Sequence, residues 1–172
     1  MDGLPHIVIH SGQTLQNVLP LLELGASSFV VVHSSGMPPE PLRRAASAFG
    51  LKELGAIEVP SADRGAATAA LEGKREWLHA ICPHYVVNYT GGTKAMAIGV
   101  LDALQPEAVA AFYMDGGRLR IHRAGGDEER RFGRRLSVSE LLCAHGILAG
   151  RVGDAKSMTT RGRPRRPRRA TW

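Results

Sequence analysis

Short β-branched runs alternate with amphipathic segments along most of this chain, and that alternation constrains its fold more than any other feature. The run His6–His10 is followed by Thr14–Leu24, where apolar side chains recur at the three- and four-residue spacing of one helix face. The next run, Phe29–His33, is apolar at almost every position, as in a central parallel strand that helices cover on both sides. Four strand–helix units in succession predict a parallel sheet with right-handed crossovers.

The remaining elements extend this pattern. They are predicted as a short helix ending at Phe49, a strand at Ala56–Val59, a long helix at about Gly65–Ala80, a strand at His84–Tyr89, a helix at Ala95–Leu104, strands at Ala108–Met114 and Arg118–Arg123, and a last helix at Leu136–His145. The glycines of Asp115–Gly117 favour a hairpin turn between the last two strands. The charged stretch Asp127–Arg135 is predicted to be an exposed hairpin or loop. The fold class is therefore α/β: a Rossmann-like, mostly parallel sheet with helices on both faces and an antiparallel edge hairpin.

The basic charge of the chain is concentrated at its end. Of 172 residues, 22 are Lys or Arg and 16 are Asp or Glu, giving a net charge of +6. Residues 151–172 hold eight of the basic residues and one acid, so the rest of the chain is close to neutral. Gly, Pro and Arg alternate in this tail without an apolar pattern, which predicts a single domain at 1–148 and a disordered basic tail at 149–172.

Several function classes are excluded by motifs that the sequence lacks. Cys82 and Cys143 form no CxxC pair and fit a reducing, cytoplasmic environment. Neither a signal peptide nor an apolar run of about 18–20 residues is present, so no membrane association is expected. The seven histidines form no HxH or HExxH pattern, and no GxGxxG follows the first strand. We therefore expect no metal and no cofactor.

The most informative loop is Asn88–Lys94, which follows the fourth predicted strand. In an open parallel sheet, ligands bind beyond the carboxyl ends of the strands. The adjacent glycines Gly91 and Gly92 allow a tight turn whose N–H groups face a ligand at a helix N-terminus, and Lys94 adds a mobile positive charge. Because Ala95 follows the lysine, this is not a Walker loop. The loop favours a phosphate or phosphodiester, and the alternative is a simple tight turn with Thr93 as the helix cap.

A second loop, His10–Thr14, follows the first predicted strand and should lie at the same edge of the sheet. Ser11, Gln13 and Thr14 offer short neutral donors and acceptors that could contact base edges or ribose hydroxyls. The alternative interpretation is that Ser11 or Thr14 caps the helix that follows. His10 and His33 end neighbouring strands and are secondary candidates for this site.

Three segments together resemble a known family. NYTGGTKAMAIG at Asn88–Gly99, SGQTLQNVLPLLE at Ser11–Glu23 and LSVSELLCAHG at Leu136–Gly146 are similar to the CARF domains of CRISPR-associated proteins. The likeness covers about residues 6–148 and is strongest to the subfamily in which a CARF domain precedes a PD-(D/E)xK nuclease. No carboxylate cluster follows residue 150, so the nuclease activity is not carried over.

The resemblance implies a homodimeric sensor of cyclic oligoadenylates, the second messengers made by type III CRISPR complexes. It implies that the two loops line a groove across the dimer two-fold, and that an even-membered ring is bound, cyclic tetra-adenylate first and the six-membered ring second. The ligand-binding residues it implies are Ser11, Gln13 and Thr14 for bases and ribose, with Asn88, Thr90, Gly91, Gly92, Thr93 and Lys94 around the phosphates.

Three functions stay open on the sequence. The first is binding alone, as a sensor, a ligand sink or the sensor fragment of a truncated effector, and it is favoured because no residue requires catalysis. The second is a metal-independent ring nuclease, in which Lys94 stabilises the phosphate while Ser11 or Thr14 orients the attacking 2′-OH. The third is binding of RNA or DNA through the arginines of Arg161–Arg169, by neutralising phosphates.

Overall fold

The computed structural model describes residues 1–145 and residue 147. A seven-stranded sheet forms its centre, in the order β3-β2-β1-β4-β5-β6-β7. The first five strands along the chain run parallel to one another, whereas β6 pairs antiparallel with β5 and β7 pairs antiparallel with β6. The strands are β1 (His6–Ile9), β2 (Ser28–His33), β3 (Lys52–Glu58), β4 (Val86–Asn88), β5 (Ala110–Asp115), β6 (Arg118–Arg123) and β7 (Gly126–Arg131). The predicted α/β architecture with an antiparallel edge is confirmed.

Helices cover both faces of this sheet, as predicted. They are α1 (Thr14–Glu23), α2 (Glu40–Ala48), α3 (Arg64–Glu72), α4 (Arg75–Ile81), α5 (Lys94–Leu104) and α6 (Val138–Ala144), with a short 3-10 turn at Gln105–Glu107. Side chains of β1 alternate between the two apolar cores, because successive strand residues point to opposite faces. Ile7 and Ile9 pack with α3, α4 and α5, whereas Val8 packs with α1, α2 and α6.

The single long helix predicted at Gly65–Ala80 is wrong. The structure has two helices there, α3 ending at Glu72 and α4 beginning at Arg75, with Gly73 as the C-cap of α3. Glycine is the weakest helix former in this stretch, which explains why the break falls there. Trp77 of α4 packs on the sheet so closely that a Cβ at Gly55 of β3 would lie 2.6 Å from its indole ring.

The charged stretch after β6 forms the last strand. β7 pairs with β6 in an antiparallel hairpin, and ion pairs such as Arg123–Glu128 at 3.0 Å cross between the two strands. Of the two alternatives predicted for this stretch, an exposed hairpin or a loop, the structure has the hairpin. β7 is the edge of the sheet, where charged side chains are common because they discourage pairing with another chain.

Within residues 1–145 and 147, no helix is long and apolar enough to cross a membrane, and no three His, Cys, Asp or Glu side chains are grouped to hold a metal ion. Cys82 and Cys143 are free and buried. The prediction of a basic tail at 149–172 lies outside the described residues.

His6 gives the fold a specific dependence on pH. Its imidazole is fully buried, lies edge-on to Phe112, and neither ring nitrogen has a hydrogen-bond partner among the described residues. Burial, aided by the positive N-terminus, lowers the pKa of His6 from 6.5 to about 3. Below pH 6.5 the unfolded chain therefore takes up a proton that the folded chain excludes, so stability is lost as the pH falls from 6.5 towards about 3.

Within this window we expect His6 to lower the free energy of unfolding by about 1.4 kcal/mol for each unit by which the pH falls. Urea unfolding at about pH 7 and about pH 5 measures the effect. His6→Leu should flatten the pH dependence, whereas the same change at His84, which is exposed, should leave it as in the wild type. An unchanged slope in His6→Leu would contradict the assignment.

Candidate phosphate-binding site

The order of the strands reverses between β1 and β4, which is the place where open α/β sheets bind ligands in a crevice. From β1 the chain proceeds outward through β2 to β3, and it then returns to the other side of β1 to form β4 and β5. At such a reversal the loops that follow the two central strands separate and leave an opening at the carboxyl edge of the sheet. The two loops singled out in the sequence, after β1 and after β4, flank this opening.

Gly91 and Gly92 press the second loop directly against the end of β1. Gly91 is buried, and a Cβ there would lie 2.3 Å from the carbonyl oxygen of Ile9. Gly92 has a φ of +80°, and its Cβ would lie 2.4 Å from Cγ2 of Ile9. Any larger residue would push the loop away from β1, so the close approach requires glycine at both positions, and the positive φ favours glycine at Gly92 as well.

The loop ends at the N-terminus of α5, where Thr93 and Lys94 have different surroundings. Thr93 is the N-cap: its hydroxyl accepts from the Met96 N–H at 3.2 Å and donates to the Ser61 carbonyl. The cap interpretation of Thr93 is thus confirmed. Lys94 is exposed and makes no ion pair or hydrogen bond within the described part of the chain. Its ammonium group is available beside the free N–H groups of the first helical turn.

Asn88 and Thr90 fix the start of the loop from below. Asn88 is fully buried, and its Oδ1 accepts from the backbone N–H of Thr90 at 3.0 Å and from the Thr90 hydroxyl at 2.6 Å. The Thr90 hydroxyl in turn accepts from the Met114 N–H of β5 at 3.0 Å. The loop is therefore tied to two neighbouring strands before it reaches the glycines.

Tyr89 holds the same loop from the side through ring contacts that no sequence pattern indicates. Its ring lies 5.2 Å from that of Tyr113 and 6.2 Å from that of His122, measured between centroids. Burial raises the pKa of Tyr89 to about 12, so its hydroxyl stays protonated at physiological pH. The ring cluster holds the loop onto β5 and β6.

The first loop presents its polar groups without using them as caps. The N-cap of α1 is Gln13, and no side chain caps that helix, so the prediction that Ser11 or Thr14 caps it is wrong. The Ser11 hydroxyl instead accepts from Nδ2 of Asn17 at 3.4 Å. Gln13 is exposed and Thr14 is half-buried.

His10 lies behind this loop. Its side chain is buried, and its ring nitrogens have no partner at hydrogen-bond geometry among the described residues. Burial lowers the pKa of His10, with the Pro38 backbone opposing the shift and the nearby His33 adding to it. A neutral imidazole is therefore expected behind the crevice at physiological pH.

On one side of the crevice, the second loop offers a glycine-formed backbone turn, a helix N-terminus and an ammonium group that pairs with none of the described residues. On the other side, the first loop offers neutral polar side chains. Backbone donors at a helix N-terminus and a lysine favour a phosphate, and neutral donors and acceptors suit sugar or base groups. Fold and site together define a Rossmann-like domain with a candidate anion-binding site at its topological switch point.

A family model of the Card1 CARF domain matches residues 6–141, and the chain belongs to this family. The resemblance noted in the sequence is thereby confirmed. A comparison with curated protein sequences found no significant match.

Solved structures share the fold at low sequence identity. Can2 from Sulfobacillus thermosulfidooxidans, in complex with cyclic tetra-adenylate, is similar with a TM-score of 0.66 and 21% identity over 83% of this chain and 41% of its own. Protein VC1899 from Vibrio cholerae gives 0.69 and 14% over 82% of this chain and 39% of its own. A type III CRISPR defence DNA nuclease activated by cyclic oligoadenylate gives 0.54 and 22% over 84% and 23%. The chain spans less than half the length of each of these proteins.

Proposed function

We propose that this chain binds a cyclic oligoadenylate in the crevice between β1 and β4 and acts as a sensing domain in type III CRISPR defence. The observation that carries the proposal is the ammonium group of Lys94, which pairs with none of the described residues and lies beside the Gly91–Gly92 turn at the N-terminus of α5. Each phosphodiester of such a ring carries one negative charge. A lysine and a helix N-terminus together offset that charge without a metal ion.

Two similar structures support this choice of ligand. Can2 was solved with cyclic tetra-adenylate, and the type III nuclease is activated by cyclic oligoadenylate. Cyclic tetra-adenylate is therefore the ring that we propose first. A two-fold homodimer would present the crevice twice, which matches a ring with an even number of repeats.

The proposed roles of the loop residues follow from which donors are free. Lys94 and the backbone of Gly91 and Gly92 hold a phosphate. The hydroxyl protons of Thr90 and Thr93 are already donated within the chain. A phosphate oxygen only accepts hydrogen bonds, so these two threonines support the phosphate site by holding the loop.

The remaining residues have complementary proposed roles. Asn88 acts from beneath the second loop, through Thr90. Gln13 and Thr14 face the bases and ribose groups from the first loop, where neither side chain is committed to capping α1.

Binding and cleavage are separated by one incubation. Radiolabelled cyclic tetra-adenylate is mixed with the full chain in EDTA, and the bound and reacted fractions are measured. We expect the ring to be retained by the protein and recovered intact. Linear products that end in a cyclic phosphate would instead assign the chain as a metal-independent ring nuclease, because that product forms when a ribose 2′-OH attacks the adjacent phosphate. A ring that is neither retained nor cut would contradict the proposal.

A further inference from the structure

Asn17 is a buried polar residue at the junction of the two loops, and the roles proposed above leave it unused. It lies in the first turn of α1, and its side chain is completely buried. Its Nδ2 donates to the Ser11 hydroxyl in the first loop, and its backbone carbonyl accepts from Nδ2 of Asn88 beneath the second, both at 3.4 Å. Asn17 therefore contacts the supports of both loops at once.

The other polar side-chain atom of Asn17, Oδ1, is turned towards Gly91 in the second loop. A Cβ built at Gly91 would lie 2.8 Å from this oxygen and 3.1 Å from the Ser11 hydroxyl oxygen. Oδ1 has no hydrogen-bond donor among the described residues. A buried acceptor without a donor is costly. An unpaired acceptor between the two loops lowers stability, so its presence there indicates a functional role.

The direction of the Asn17–Ser11 hydrogen bond determines what Ser11 can offer a ligand. Because the amide Nδ2 supplies the proton of that bond, the Ser11 hydroxyl acts as the acceptor towards α1. Its own proton is left to point elsewhere, and Ser11 is only half-buried. The Ser11 hydroxyl makes no other hydrogen bond within the described part of the chain. Ser11 is therefore held as a donor that faces away from α1.

We infer that Asn17 is a positioning residue that makes Ser11 a hydrogen-bond donor to a phosphate oxygen of the ligand. This inference rests on the proposed function and refines it, since it assigns Ser11 to a phosphate rather than to a base or ribose. If an acceptor faced Ser11 from position 17, that acceptor would take up the hydroxyl proton. Ser11 would then present lone pairs to the ligand, which repel the oxygens of a phosphate.

Asn17→Asp makes this change with nearly the same shape. We expect the affinity for cyclic tetra-adenylate to fall at least about tenfold, because a hydrogen bond to a charged group is lost. Asn17→Asp also adds a negative charge, which would weaken binding whether or not Ser11 is involved. Its effect must therefore be measured in two backgrounds, the wild type and Ser11→Ala.

The double-mutant cycle separates the two causes. If Asn17 acts through Ser11, Asn17→Asp should weaken binding several-fold less in the Ser11→Ala background than in the wild type. Equal losses in the two backgrounds would overturn the inference. Unfolding curves for all four proteins ensure that affinity refers to folded chains. If Asn17→Asp does not fold, Asn17→Ala takes its place in the cycle under the same criterion.

The wild-type titration within the same experiment separates a failure of the proposed function from a failure of the role inferred for Asn17. A wild type that binds no cyclic oligoadenylate removes the proposed function, and the inference about Asn17 with it. A wild type that binds, combined with equal losses in the two backgrounds, removes the role of Asn17 alone and leaves the ligand assignment in place.

Discussion

Replacing Gly91 with alanine is expected to abolish detectable binding of cyclic oligoadenylate and to lower the stability of the domain. The added methyl group would lie 2.3 Å from the Ile9 carbonyl oxygen and 2.8 Å from Oδ1 of Asn17. The Ile9 carbonyl is part of the backbone of β1, which cannot shift to make room. The loop itself must therefore move away from β1. We expect a loss of about 1–3 kcal/mol in the free energy of unfolding, the usual cost of overpacking.

Gly125→Ala is the matched control. It makes the same chemical change between β6 and β7, where a Cβ would meet no atom within 4 Å. Calorimetric titration and urea unfolding of both variants measure the two effects, and the Gly125 variant should behave as the wild type does. A Gly91 variant with wild-type stability and wild-type affinity would show that the close contact between the loop and β1 has no importance for the site.

Replacing Lys94 with alanine should weaken binding by about 1.5–3 kcal/mol, which corresponds to about 10- to 150-fold in Kd. Lys94 is exposed and has no partner in the described part of the chain. Its removal therefore leaves no unpaired charge behind, and the stability of the fold should be nearly unchanged. The loss of affinity should shrink as salt is added, because screening weakens the charge interaction in the wild type.

Lys74→Ala provides the comparison for that variant. Lys74 is also exposed and lies at the start of α4. Replacing it with alanine changes the net charge of the protein by the same amount as Lys94→Ala. Fluorescence or calorimetric titration of the two variants at low and high salt compares a local with a general charge effect. Equal losses of affinity in both would indicate attraction by net charge alone and would remove Lys94 from the site.

The sheet and the position of the crevice could be predicted because each depends on local patterns. β-branched runs such as Phe29–His33 and the small-residue loop around Gly91 are distinctive without knowledge of their neighbours. The strand and helix bounds differ by a few residues at most in these segments. The direction of each strand then followed from the strand–helix alternation, which allows few arrangements.

Other features could not be predicted from the sequence because they depend on contacts between distant segments. The break between α3 and α4 is not predicted because the alanines before Gly73 and the run Lys74–Glu76 after it are strong helix formers. Asn17 lies in an otherwise ordinary amphipathic helix, and its importance appears only when Ser11, Asn88 and Gly91 are brought around it by the sheet. The Tyr89–Tyr113 contact likewise requires β5 to lie beside β4.

The two threonines of the glycine loop illustrate a limit of reading motifs. The resemblance to CARF domains implies that both threonines lie around the phosphates. In the structure both hydroxyl protons are donated within the chain, one to Asn88 and one to Ser61. Which donors are free depends on the partners that folding brings, so a motif can locate a site more securely than it can assign each contact.

Isothermal titration calorimetry of the full chain with cyclic tetra-adenylate tests the central claim most directly. The account predicts saturable heat with one ring bound for every two chains, as a ligand on a dimer two-fold requires. Titration with the six-membered ring in parallel determines which size the crevice prefers. No heat with either ring, from a chain shown to be folded, would contradict the assignment of the β1–β4 crevice as a cyclic oligoadenylate site.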